Sequence, residues 1–139
     1  MWKRLVGLVF NRKGDEFAET AIAMPVIVLI SIALMNLTMA GFAIVNANNA
    51  ANYAARVGSV TQQGAGGAAY GAAMESISHA QIGEYSVYVS GGGFPGAQID
   101  VQVDWNVPNY IGGLMSFLGG GLGDDFHGAA TSVFRQEGW

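Results

Sequence analysis

Hydrophobic and polar positions divide this chain into a long apolar first part and an alternating second part. Residues 20–55 contain no Asp, Glu, Lys or Arg, and residues 21–45 within them are almost continuously apolar. As a helix, those 25 residues would reach about 37 Å, enough to cross a hydrocarbon core of about 30 Å with some tilt. The helical pattern outlasts the apolar stretch. Asn46 to Val57 is rich in alanine and free of proline, and Gly58 supplies a C-terminal stop. A helix over residues 17–58 would be roughly 60 Å long, so half of it stands outside the bilayer. A simple anchor has no need of that length.

After Gly58 the pattern shortens. Residues 59–71 form a glycine-rich hinge running into a short helix over 68–81. Residues 84–90 and 97–107 alternate apolar and polar side chains, the period of half-buried strands. Between them Gly91, Gly92, Gly93, Phe94, Pro95 and Gly96 supply turn chemistry, which predicts a hairpin. Pro108 ends the second strand, Asn109 caps a short apolar helix reaching 118, and a last strand over 129–136 joins the hairpin. The expected fold is α+β: a long N-terminal, partly transmembrane helix followed by a small antiparallel-sheet head with short helices.

Charge adds direction. Only 12% of residues are charged, and the net charge of −4 conceals an asymmetry. Lys3, Arg4, Arg12 and Lys13 precede the apolar stretch, whereas seven of the ten acids follow it. Basic flanks remain on the cytoplasmic side, so the chain is expected to run N-in and C-out. An acidic body excludes nucleic acid as a natural partner. With no cysteine in the chain, disulfides and thiolate chemistry are excluded.

The most informative stretch lies just before the apolar core: Lys13, Gly14, Asp15, Glu16, Phe17, Ala18, Glu19. Basic residues, a glycine and a glutamate five positions later resemble the processing site of type IV prepilins. That resemblance implies a leader over residues 1–14, a cut between Gly14 and Asp15 by a membrane-embedded prepilin peptidase, and a mature helix over 15–58. Glycine suits the site physically, because the peptidase must seat a closely approaching extended backbone. Glu19 needs a partner, since a carboxylate entering hydrocarbon costs a few kcal/mol or more. Cleavage creates one, the α-amine of Asp15 on a neighbouring subunit, and such a pair would set the register between helices. On an isolated helix, Asp15, Glu16 and Glu19 would merely complement the N-terminal dipole.

Pro25 narrows the likeness. Glu19 to Val26, with proline six residues after the glutamate, resembles the equivalent segment of TadE-like proteins, although Thr20 stands where phenylalanine is usual. Asn49 to Arg56 resembles the alanine- and arginine-rich end of that family's helix. The family consists of pilin-like subunits of the tight-adherence (Tad, or Flp) pilus system. It implies a non-enzymatic minor pseudopilin in the inner membrane, with no cofactor. Its partners would be other pilin subunits, the prepilin peptidase and the pilus assembly platform. Pro25 itself removes one backbone hydrogen bond and is expected to kink the helix.

A stripe of Ala43, Ala47, Ala51 and Ala55 recurs every four residues on one helix face and permits close backbone approach. The upper alanines are expected to face the head, and Ala40 to Ala43 to face other subunits. Asn36, Thr38 and Asn46 are candidates for bonds across helices.

Other patterns carry less. Gly64 to Ala69 is a loosened dinucleotide fingerprint, but no strand precedes it, so it reads as a linker. His79 after Glu75, and His127 near Asp124 and Asp125, do not make a zinc set. Asp100, Asp104, Asp124 and Asp125 are calcium-type ligands that equally suit the wet face of a strand. No catalytic serine elbow exists in the chain. Two other readings stay open: a major pilin, and an uncleaved signal-anchored envelope protein whose head binds a ligand.

Overall fold

The computed structural model describes residues 12–117, 119–120 and 123–138, with side chains from Phe17 onward except those of Leu114 and Phe117. Helix α1 (Arg12–Val60) is followed by α2 (Ala65–Ser78), strands β1 (Glu84–Gly91) and β2 (Gln98–Val107), helix α3 (Tyr110–Phe117) and strand β3 (Phe126–Arg135). This is the expected α+β arrangement. The leader expected over 1–14 falls outside the described residues as far as Asn11. The chain divides into two units, one ending at Met35 and one beginning at Asn36.

The second unit is the head, built on a three-stranded antiparallel sheet in the order β1-β2-β3. Val103 of the central strand lies opposite Val87 on one side and Ala130 on the other. Alternation along β2 separates its faces: Ile99, Val101, Val103 and Val107 are fully buried, whereas Gln98 and Gln102 are exposed. Branched aliphatics on the inner face of a central strand are what a half-buried sheet selects.

Helices cover that inner face. Ala47, Ala50, Ala51, Ala54 and Ala55 of α1 join Ala65, Ala69, Ala72, Ala73 and Ile77 of α2, and both sets meet Ile99, Val101, Val103 and Ala130. Ten of these fourteen core residues are alanine. Each buried methyl contributes only about 0.8 kcal/mol, so cohesion depends on close backbone approach rather than on bulk. Gly58 shows how close: a Cβ there would stand 3.0 Å from the Cβ of Ala69 and 3.2 Å from the carbonyl oxygen of Ala65.

That contact corrects one expectation. Gly58 does not stop the helix, because α1 continues to Val60. Its missing side chain lets α2 pack against α1. The end of α1 is closed instead by hydroxyls: Ser59 Oγ donates to the Arg56 carbonyl at 2.8 Å, and Thr61 Oγ1 to the Val57 carbonyl at 2.7 Å. These bonds satisfy carbonyls that a helix end leaves open.

The hairpin turn has a different requirement. Gly91 has φ +83°, and a Cβ there would collide with the Gln98 carbonyl. Only glycine accepts both conditions. The third strand begins at Phe126, three residues earlier than its alternation suggests, because Gly128 faces Trp105. A Cβ at Gly128 would lie 2.8 Å from Trp105 Cζ2, so the indole covers a position that only glycine leaves open.

One residue ties these parts together. Gln136 is almost fully buried. Its Nε2 donates to the carbonyls of Thr61 at 2.8 Å and Gln62 at 3.2 Å, while its Oε1 accepts from Gly93 N–H at 3.0 Å. A single amide thus joins the loop after α1, the hairpin turn and the end of β3.

Candidate functional site

The feature that separates this chain from an ordinary small α+β domain is the first part of α1. From Phe17 to Met35 nearly every side chain is exposed, including Phe17 at 82% and Ile22 at 73%. Water would strongly disfavour so many uncovered large aliphatics on one rod. The helix is long and apolar enough to cross a membrane, and almost none of its most apolar window is covered. One long apolar helix near the N-terminus is therefore compatible with a single-pass membrane anchor.

The residues expected to carry processing lie at its start. The backbone of Gly14 and Asp15 is already helical, inside the first turns of α1, and the side chains of residues 12–16 lie outside the described set. An extended segment suited to a peptidase cleft is not present at this point. The expected cut between Gly14 and Asp15 would require the first turns to unwind, and glycine lowers the cost of unwinding as well as of close approach.

Glu19 is exposed on the helix. It borders a shallow groove with Thr20, Ala23, Met24 and Ile27, in which Ala23 and Ile27 follow it at four-residue steps. Alanine between two larger side chains makes the depression. A carboxylate therefore stands at the end of a shallow, largely apolar groove. Pro25 is exposed nearby, and α1 continues through it as helix.

The alanine stripe is found where its spacing puts it. Ala43, Ala47, Ala51 and Ala55 are all buried within the head. The division expected along the stripe is not observed. Ala40 and Ala43 face this chain's own head, not a surface free for other subunits. The turn at Gly83 comes down onto Ala43, where a glycine Cβ would lie 3.5 Å from the alanine Cβ. Phe42, Ile44 and Val45 are exposed at that level. The head reaches lower along α1 than helix periodicity alone indicates, since periodicity identifies a face but not what covers it.

Its lowest point is polar. Asn36 is 1% exposed. Its Nδ2 donates to Asn109 Oδ1 at 3.2 Å, and Asn109 Oδ1 also accepts from Gly112 N–H at 3.0 Å, capping α3 as its position predicts. Asn109 N–H in turn donates to Asp125 Oδ1 at 3.0 Å. The candidate bonds of Asn36 and Asn46 are therefore made within the chain, the second being Asn46 Nδ2 to the Tyr85 hydroxyl at 3.4 Å. Asn36 Oδ1 is buried with no donor among the described residues.

The remaining candidates disperse. Asp100 and Asp104 accept from Gln98 and Gln102 on the same face of β2, at 2.9 and 2.7 Å. Asp125 is occupied by Asn106 and Asn109. Among the described residues no three His, Asp or Glu side chains are grouped to hold a metal ion. Sequence reasoning missed Gln136 and the Asn36–Asn109 bond. Polarity inside an apolar run was a usable signal for Asn36, whereas nothing local marks Gln136.

By architecture the chain is thus an α+β protein whose N-terminal helix is covered along one part and bare along another. No family model, curated protein or solved structure matches it.

Proposed function

We propose that this chain is a minor pilin-like subunit of a type IV-like pilus, of the TadE-like kind found in tight-adherence systems. It is inserted N-in in the inner membrane, processed by a prepilin peptidase and assembled through α1. The observation that carries this reading is one continuous helix with two environments. Residues 17–35 present large aliphatics and a single acid, Glu19, while the part from Asn36 onward is buried along one face by the head. A rod of that kind serves lipid first and neighbouring rods afterwards, because both solvents accept the same apolar surface.

Within this reading the chain performs no catalysis. Gly14 and Asp15 flank the processing point, and Glu19 pairs with the new amine of a neighbouring subunit. The groove beside Glu19 offers a seat for an adjoining helix. Force for extraction comes from the assembly platform.

Mass spectrometry of the native protein's N-terminus tests the proposal. A chain beginning at Asp15 is expected. One beginning at Met1 in functioning cells overturns it in favour of an uncleaved anchored envelope protein. Gly14→Ala is expected to slow processing by at least about tenfold, equivalent to 1.4 kcal/mol in the barrier. Processing of that variant at the wild-type rate would remove the site assignment. Glu19→Gln is expected to leave membrane insertion unchanged while excluding the subunit from assembled filaments, measured by immunoblotting sheared pili against membranes.

A further inference from the structure

We infer that the outer face of the sheet carries an arginine-recognition groove, which receives a guanidinium from an exposed segment of a partner protein. The groove lies wholly within the head, where β1 begins, and encloses about 490 Å³. Its side chains come from all three strands. Glu84 stands opposite Asn106 and Asn106 opposite His127, and the next rung places Ser86 opposite Asp104. Gln102 continues the row along β2. Strand alternation turns these residues away from the face that α1 and α2 cover.

What the groove offers follows from the bonds its own groups already make. Carboxylate and carbonyl oxygens only accept. Gln102 Nε2 therefore donates to Asp104 Oδ1 at 2.7 Å, Asn106 Nδ2 to Asp125 Oδ2 at 3.3 Å, and His127 Nδ1 to the Asp125 carbonyl at 3.0 Å. These bonds fix both amide orientations and the imidazole tautomer. They engage donors and leave acceptors: Asp104 Oδ2, Gln102 Oε1, Asn106 Oδ1 and, in the neutral ring, His127 Nε2, beside the Glu84 carboxylate. No Lys or Arg lines the groove. From residue 17 to 138 the chain has only Arg56, on α1, and Arg135, at the far end of β3. Along an extended strand that end is about 27 Å from His127.

Two carboxylates without a counter-ion, bordered by neutral acceptors, complement a group that is positive and only donates. Guanidinium is that group, a planar fork of N–H donors. A metal ion fits less well. Glu84 and Asp104 occupy diagonal positions, with Cβ atoms on the order of 7 Å apart, and among the described residues no three His, Asp or Glu are grouped to hold an ion. A fork reaches both carboxylates. Small free ligands are retained by enclosed, mostly apolar pockets. This groove is shallow and polar, so the guanidinium arrives on a protein segment lying across the strands.

The full-length protein, isotope-labelled and held in detergent micelles, is titrated with acetyl-Gly-Ser-Arg-Ser-Gly-amide and followed by the backbone amide resonances of Ser86, Asp104 and His127. Saturable shifts of all three are expected. The same peptide with citrulline, which keeps the shape without the charge, should bind at least about tenfold more weakly. Glu84→Gln combined with Asp104→Asn should lower affinity by about the same factor without moving the melting temperature. No saturable shift, or equal binding of the citrulline peptide, overturns the inference. Arginine amide binding as tightly as the peptide would make the ligand a small molecule and overturn the partner segment. Calcium that saturates the same resonances and displaces the peptide would make the groove a metal site and overturn it too. Shifts that grow with protein concentration alone and vanish in Arg135→Gln would assign the groove to a second copy, overturning a separate partner.

Discussion

The two parts of α1 share one backbone and nearly the same lack of charge, yet they meet opposite conditions. From Phe17 to Met35 the surface is built of large, mostly exposed aliphatics. From Asn36 to Val60 one face is alanine and glycine packed against α2 and the sheet, and the other carries Phe42, Ile44 and Val45 and then Asn48, Asn49, Asn52, Tyr53 and Arg56. The difference teaches that side-chain size, more than hydrophobicity, distinguishes the two uses of the helix. Small residues mark where the chain covers itself, because they let backbones meet. Large residues mark where it leaves a surface for something else.

Substitutions that exchange the two conditions should break this contrast. The largest effect is expected from Ile27→Lys in the bare part, which should reduce membrane insertion by about 3 kcal/mol. Tyr53→Lys, on the exposed side of the covered part, should change insertion and stability by no more than about 0.5 kcal/mol. Alkaline extraction of membranes checks the first and thermal denaturation in detergent the second. Equal tolerance of lysine at both positions would remove the distinction between the two parts.

Ala51→Leu should destabilise the head by about 2.5 kcal/mol, since a fully packed alanine position has no room for three further carbons. Ile27→Leu should leave its melting temperature unchanged. Gln136→Ala comes next, at about 2 kcal/mol, because it removes one side chain's bonds to three backbone groups and leaves buried partners unpaired. Hydrogen exchange should show the loop after α1 and the hairpin turn loosening together. A smaller loss than either is expected for Gly58→Ala. Crowding against Ala69 and Ala65 costs about 2 kcal/mol, and about 1 kcal/mol of that is offset by better helix propensity. A stabilised Gly58→Ala protein would show that α1 and α2 have space to separate.

Much of the architecture was legible because local rules govern it. The alternating residues around the 91–96 turn formed the hairpin, and Asn109 capped α3 as a cap residue should. Gly58 misled because the same residue type ends helices and admits close packing, and local sequence does not separate the two. Ala40 and Ala43 misled for a related reason. A small-residue face signals an approaching backbone without saying whose.

Within the candidate site, the alanine face was readable from four-residue spacing. The point where the head's cover begins was not. It depends on Asn36 meeting Asn109, 73 positions away in the chain. Periodicity and charge thus determined on their own that there is one long helix, an apolar first part of it and an alternating sheet, because each follows from neighbours within a few residues. Which face the head covers, how far down it reaches and which amide joins its loops were decided only in three dimensions. Those contacts pair groups that no local rule brings together.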